Sequence, residues 1–448
     1  MSLLQAFRRE GRGRADRNAA LLHDQPVETG VESVQVSPFY AMRYRNFRLY
    51  FIGQLISVAG TWMQTVAQGW LVWSLTHSAQ WLGIISGASA IPYVAFSVWG
   101  GKVADRVPRR FTMIWTQVVA MVLAFILAAL SFRWGGRPAP VQAWHVAVLS
   151  GCLGVVNAFT MPTQQAFVVD IVEDRAALGN AIALNSLRFN LARFLGPILA
   201  GAVLASLGEA TCFFLNGVSF IAVIISLYMM RLRDSKPVTE TTPFLDGLWY
   251  IYRTRTVLRV VVMVGLASLF AWSVSTLYPV FATRFHKGSA GYSYIMAVNG
   301  VGAAIGGLAA AFFGEGIPRR LLVYYGAIAF NVSLILLSIA PSFLLALAAL
   351  AVSGFAMIVF GISCNTQVQS EVPDNLRGRV MAVYSLVFAG LMPLGGLEIG
   401  FVAQHTSAVV AVRIDAGLCL LGSIALFAWS SIDRASHSGN SGHSQVTR

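Results

Sequence analysis

The sequence predicts an all-α membrane protein, with twelve transmembrane helices arranged as two pseudo-symmetric six-helix bundles. Three observations predict it. Of 448 residues, 56% are hydrophobic and 11% charged, whereas an ordinary soluble domain carries about 25% charged residues. Apolar stretches long enough to cross a hydrocarbon core of about 30 Å recur along almost the whole chain. Short patterns in the first half also return, in order, roughly 200 residues later.

Residues 1–47 hold Arg8, Arg9, Arg12, Arg14 and Arg17 among Gly, Asp and Glu, with no apolar run able to act as a signal-peptide core. They are expected to form a disordered cytoplasmic tail, and the first span to act as an uncleaved insertion signal. Spans follow near 49–73, 80–104, 111–132, 143–163, 178–205 and 210–230, giving an N-terminal bundle over 48–232. A central cytoplasmic loop over 233–256 carries Pro237 and Pro243. The second bundle, 257–432, contains spans near 257–283, 289–313, 320–340, 342–364, 379–404 and 408–431, and 433–448 is a Ser-, Gly- and His-containing tail.

Lys and Arg collect in alternate connections: the first tail, Lys102 to Arg110, the central loop, Arg319 and Arg320, and Arg377 with Arg379. The other side receives only Arg133, Arg137, Arg284, Lys287 and Arg413. By the positive-inside bias both termini should be cytoplasmic, in a bacterial inner membrane. The net charge of +13 is thereby explained by topology rather than by a nucleic-acid surface, which needs a continuous soluble face. Cys152, Cys212, Cys364 and Cys419 all fall inside apolar spans without CxxC spacing, so neither disulfides nor a metal are expected. No phosphate-binding GxxxxGK[ST] loop is present, and no cofactor is implied.

The repeat sets Val172-Glu173-Asp174-Arg175 and Ala183 to Leu187 against Val372-Pro373-Asp374-Asn375 and Ala382 to Leu386. Gly196 and Gly201 answer to Gly395 and Gly400, Ser78-Ala79 to Ser289-Ala290, and Pro108-Arg109-Arg110 to Pro318-Arg319-Arg320. Paired bundles of this kind can rock about a midplane site, exposing it to one side at a time.

Between spans 2 and 3 stands Gly101-Lys102-Val103-Ala104-Asp105-Arg106-Val107-Pro108-Arg109-Arg110. Gly101 is expected to let the end of span 2 pack closely on a neighbour, and Asp105 to accept hydrogen bonds from an arginine or a helix N-terminus. The segment resembles the signature of the major facilitator superfamily, with Pro108 where glycine is commoner, and the resemblance extends from Asn46 to Arg434. It implies a cytoplasmic latch that stabilises an outward-open state, made by Asp105, Arg106, Arg109 and Arg110 with Arg377 and Arg379 as partners. The second-half copy lacks the aspartate, which implies a weaker latch there. Asn46 to Tyr50, Asn157-Ala158-Phe159 with Pro162, and Ala192 to Pro197 look like the branch that contains the enterobactin exporter and related siderophore and macrolide efflux proteins. Gly196, Pro197 and Gly201 are similar to the glycine-proline motif of antiporters in helix 5, with its second glycine displaced.

An ionisable residue inside a span is a functional candidate by default. Arg193 lies near the middle of span 5, read either as a fixed charge facing the cavity or as half of a structural ion pair; Arg188 can snorkel toward the cytoplasm. Glu398 in span 11 is the candidate proton carrier, and Asp415 is expected to pair locally with Arg413. In span 1, Gln54, Ser57, Thr61, Gln64, Thr65 and Gln68 share one helical face, lining a cavity with Asn157, Asn190 and Asn299 or bonding between helices. Trp62, Trp272 and Tyr278 can stack on a flat ligand.

The resemblance implies a secondary exporter of siderophore- or drug-like small molecules, with protons and the lipid bilayer as its other partners. An outer-membrane channel is a possible further partner that the residues do not identify. An importer or a sensor on the same fold is the alternative. A membrane-embedded enzyme would need clustered acid, base or metal ligands, and the histidines lie in loops, tails or at helix ends.

Overall fold

The computed structural model describes residues 39–133, 138–172, 174–231, 245–313 and 316–443. Most of the expected N-terminal tail and much of the central loop lie outside them. Among the described residues there is no strand. The helices are α1 (Arg45–Thr76), α2 (Ala79–Arg106), α3 (Arg109–Ser131), α4 (Ala143–Asp170), α5 (Arg175–Leu207) and α6 (Glu209–Met229), then the short α7 (Leu245–Arg253). After it come α8 (Arg255–Arg284), α9 (Gly288–Phe313), α10 (Arg319–Ile339), α11 (Phe343–Glu371), α12 (Asp374–His405) and α13 (Ala408–His443).

Eleven of these are long and apolar enough to cross a bilayer. The exception among the long helices is α1, whose 32 residues reach across but carry the Gln and Thr stripe that lowers its hydropathy. Outward faces are apolar: Phe312 and Leu344 are 77% and 76% exposed, as expected where lipid is the solvent.

Turn chemistry sets the helix boundaries. His77, in the left-handed region at φ 47°, ends α1, and the Ser78 hydroxyl accepts from the Trp81 N–H to start α2. His286 (φ 55°) stands at the corresponding turn before α9. Pro108 and Pro318 each precede a helix, α3 and α10, at the matching places of the two halves.

The same packing scheme appears twice. In the first half α2 packs on α4, and α3 on both α4 and α6; in the second, α9 packs on α11, and α10 on both α11 and α13. Glycines mark the crossings, because only a missing side chain lets two backbones approach this closely. Gly154 meets the carbonyl of Ser89, and Gly354, 200 residues later, meets that of Asn299. Gly196 sits on α1 at Ala59 and Trp62, while Gly395 sits on α8 at Leu269 and Ser273. Even contacts between halves are mirrored: Gly201 faces Ser293 of α9, and Gly400 faces Ala79 and Gly83 of α2. The chain is therefore two pseudo-symmetric six-helix bundles.

Four features differ from the expectations. The nine residues of α7 fold within the stretch expected to be loop, too short to register as a span; Ile251 is buried and the Tyr250 hydroxyl donates to the Glu371 carbonyl. Helix α13 continues to His443, past the expected start of the tail, each added residue gaining a backbone bond once a helix exists. Helix α8 is not regular: a π segment, Ala267–Ala271, leads into a 3₁₀ segment, Trp272–Leu277. Trp272 there packs against Phe330, Phe360 and Phe388 at ring separations of 5.9, 5.8 and 4.8 Å. Finally, Gly101 has open space around it, and Gly100 makes the close approach, onto the Ala158 carbonyl; one residue is about 100° of helix rotation.

Candidate functional site

The two bundles meet tightly at the end away from the described chain ends. There the Trp73 indole donates to the Thr283 hydroxyl at 2.7 Å, and Ser78 Oγ to Gln404 Oε1 at 2.9 Å. Gly83 and Gly87 of α2 seat against Gly396, Leu397 and Gly400 of α12, and Gly69 against the Tyr292 ring.

Arg193 lies deeper along the junction. Its Nη2 donates to Met357 Sδ of α11 at 3.5 Å, and its guanidinium stands 5.6 Å from the centroid of Trp62 on α1. Trp62 in turn meets Phe189 edge-on at 6.0 Å, and the Tyr278 hydroxyl of α8 lies within electrostatic range of Arg193. One cation thus touches side chains of both halves inside an aromatic frame. Among the described residues no carboxylate pairs with it, so the ion-pair reading of Arg193 has no partner here.

A second cation sits within the first half. Arg188, 3% exposed, donates from Nη1 to Gln54 Oε1 at 3.2 Å, and Gln164 Nε2 donates to the same oxygen at 3.2 Å. Its guanidinium lies 5.5 Å from the Tyr50 ring, which packs on Phe167. The side chain turns into the bundle rather than toward the headgroups.

The α1 stripe divides. Gln64 accepts from Asn216 Nδ2 at 2.7 Å and Gln68 donates to Ser150 Oγ at 2.8 Å, so these two join helices. Thr61 and Thr65 are exposed yet lie about 180° around the helix from the exposed Ile52 and Ile56. Two opposite exposed faces, one polar and one apolar, are what a cavity on one side and lipid on the other would give. Asn157 is half-buried, Asn299 ties α9 to the Leu350 carbonyl of α11 at 3.2 Å, and the side chain of Asn190 lies outside the described residues.

At the end carrying the described chain ends, Arg109 Nη1 holds Asp170 Oδ1 of α4 at 2.7 Å, both side chains mostly covered. Asp170 is not part of the signature segment. Arg110 donates to the Tyr228 carbonyl of α6 at 2.9 Å, and its counterpart Arg320 donates to Ser431 of α13 at 3.3 Å. Arg106 is exposed, Arg377 donates to the Gln369 carbonyl at 3.2 Å, and Gly247 of α7 packs on the Arg379 backbone. Asp105 is exposed, and no ion pair reaches it among the described residues. The bonds of Arg109 and Arg110, and that of Arg377 to Gln369, thus run within each half rather than across a latch.

Glu398 and Asp415 lie within hydrogen-bonding reach of each other between α12 and α13. Asp415 is fully buried, and Arg413, its expected partner, turns instead to Ser338 Oγ at 3.2 Å. Residues two apart on a helix point to different faces, so the local pair was never available.

Duplicated apolar bundles that close on each other at one end, around a polar centre with a fixed cation, define a polytopic membrane transporter of the major facilitator type. The chain belongs to the transmembrane secretion effector family, whose model matches residues 36–443. It is 25% identical over 375 residues to the staphyloferrin A transporter of Staphylococcus aureus (strain NCTC 8325 / PS 47), covering 80% of this chain and 89% of that one. It is also 25% identical over 394 residues to the multidrug efflux pump Tap of Mycolicibacterium fortuitum, covering 85% and 94%. A bacterial homologue of the iron transporter ferroportin, solved in an inward-facing state, shares the fold with a TM-score of 0.66 at 16% identity, over 86% of this chain and 99% of that one.

Proposed function

We propose that the chain is a secondary exporter that moves anionic or amphipathic small molecules, siderophore- or drug-like, out across a bacterial cytoplasmic membrane by alternating access. The observation that carries the proposal is Arg193, a fixed cation touching both bundles with no carboxylate partner among the described residues. A half-buried positive charge left without a protein anion is costly, and an anionic cargo relieves that cost. Trp62 and Phe189 supply ring faces for the cargo's apolar part. Thr61 and Thr65 supply hydroxyls on the same side of α1.

The positive-inside bias puts both termini in the cytoplasm. On that topology the tight contacts at the opposite end support an inward-facing member of the cycle, ready to load cargo from inside. Cross-half contacts by Asp105 with Arg377 and Arg379 belong to the other member, when the cytoplasmic end closes. Energy comes from proton entry, with Glu398 as the acid. The staphyloferrin A transporter and the Tap pump, relatives along most of their length, support cargo of this kind.

Deletion of the gene tests this, by following extracellular siderophore and intracellular drug with and without a protonophore. Loss of secretion or rising intracellular drug, reproduced in the parent strain by the protonophore, is expected. Unchanged handling of every compound overturns export, and reduced uptake of one points to an importer.

A further inference from the structure

Asp415 is 0% exposed, and neither of its carboxyl oxygens has a hydrogen-bond donor; Glu398 Oε2 is buried and equally without one. The two carboxyls face each other. Counting along each helix, Glu398 lies seven residues before the end of α12 at His405, and Asp415 seven after the start of α13 at Ala408. At 1.5 Å per residue, both sit about 10 Å in from the same end. They are the acidic residues set well inside the apolar spans.

Among the described residues no cation pairs with them. Arg413 on α13 is directed to Ser338 Oγ, and Arg284 of α8 donates to the Ser338 carbonyl at 3.2 Å. Arg259 of α8 lies over Trp429, and Arg320 of α10 bonds Ser431, both toward the other end of α13. From α2, packed on the outer half of α12, the only basic residues are Lys102 and Arg106 at its far end. Cys419, one turn along α13, is the remaining titratable neighbour, and the Asn331 amide of α10 donates to Ala327 rather than to Asp415.

Two carboxylates in contact, one of them fully buried and the other half-buried, with no cation or N–H donor between them among the described residues, do not both remain ionised. An O–H on one then donates to the other carboxylate. The turn that carries Glu398 is also the turn that seals the far end, since Gly396, Leu397 and Gly400 seat there on Gly83 and Gly87 of α2.

We propose that Glu398 and Asp415 share one exchangeable proton, and that its presence holds the α12 turn against α13 in the geometry that seals the outer end. Loss of the proton leaves two anions facing each other and pushes that turn away from α13, loosening the seat on α2. This rests on the proton-coupled reading above and adds the second carboxyl, its stoichiometry of one, and the element it acts on.

Two measurements on the full chain test it, neither needing a transported substrate. In nanodiscs, infrared spectra recorded between about pH 6 and pH 9 should show a protonated-carboxyl carbonyl band in the parent that is absent from the E398Q/D415N double variant. Identical spectra for the two overturn the shared proton. In cells, a Gln80→Cys probe at an exposed position beside the seal, labelled by a membrane-impermeant maleimide, should react at a rate that, divided by the rate of free cysteine at the same pH to remove the thiol's own pH dependence, shifts several-fold with external pH in the parent background. The shift should vanish with Asp415→Asn and return with Asp415→Glu, the rescue separating loss of the proton from damage to the fold. A pH dependence that persists in Asp415→Asn, or is missing in the parent, overturns the link to the seal. Failure of export itself would leave both readouts intact.

Discussion

Replacing Arg193 by glutamine removes the fixed charge at the junction while keeping a polar side chain of similar reach. A cargo carboxylate about 6 Å from the guanidinium, at an effective dielectric of about 20, gains about 2.8 kcal/mol. Arg193 is only half-buried, so solvent screening roughly halves that figure, and about 1.4 kcal/mol corresponds to about a tenfold change in affinity. Inside-out vesicles, which turn the cytoplasmic face outward, supply the assay when matched anionic and neutral amphipathic dyes are added to the external medium and their uptake is followed. The expected outcome is an apparent KM about tenfold higher for the anionic dye, with little change in maximal rate and none for the neutral dye. Arg193→Lys should recover much of the affinity but not all, since an ammonium lacks the planar guanidinium that stacks on Trp62. Equal losses for the two dyes would show that Arg193 only holds the helices together.

Further outcomes follow from the packing. Gly154→Ala and Gly354→Ala each drive a β-carbon into a facing carbonyl, of Ser89 and Asn299, and should cost about 1–3 kcal/mol, seen as a lower Tm in detergent. Gly179→Ala, in open space, is the control and should not lower it. Asp170→Asn strips Arg109 of a covered charge-assisted bond and should lower stability by about 1.5–3 kcal/mol, whereas Asp105→Asn at an exposed site should stay within about 0.5 kcal/mol. The reverse ranking would mean that Asp105 is the structural partner after all. Reporter fusions at residue 448 and after Arg137 should report opposite sides of the membrane; the same side for both would break the twelve-span topology.

The architecture was legible because lipid imposes a length and a composition on every span, and duplication printed the same glycines twice. Gly196 and Gly395 could be paired by spacing alone, and the structure seats both on the corresponding neighbour, α1 and α8. What spacing does not carry is the direction a side chain takes once helices pack. Gly100 rather than Gly101 makes the contact because one position is a quarter-turn and more. The polar stripe of α1 was visible, but its division into Gln64 and Gln68 joining helices and Thr61 and Thr65 facing out depends on where α4 and α6 lie. Helix α7 and the break in α8 fall below the length that hydropathy averages over.

The partners of charged residues show the same limit in its sharpest form. Arg109 has Asp105 four positions before it, yet bonds Asp170, 61 positions on, because Asp105 faces outward near the end of α2 while Asp170 ends the helix that α3 packs against. Asp415 has Arg413 two positions before it and bonds neither that nor any other cation; its neighbour is Glu398 on the preceding helix. In each case the nearest opposite charge in sequence lost to the geometry of antiparallel neighbours. An antiparallel pair joined by a short turn brings residues equidistant from the turn to one depth, so Glu398 and Asp415, each seven residues in, were placed to meet. That counting rule is available from sequence wherever a turn is short. Applied to the first half, it pairs the depth of Asp415 with the neutral Asn216 of α6, which bonds Gln64 instead. The duplication is therefore symmetric in packing and asymmetric in charge: Arg188 and Arg193 stand in the first bundle, and the facing carboxyls Glu398 and Asp415 in the second. A rocking motion of one bundle against the other would thus move the cargo's counter-charge relative to the proton's site, which is the separation a coupled exchange requires.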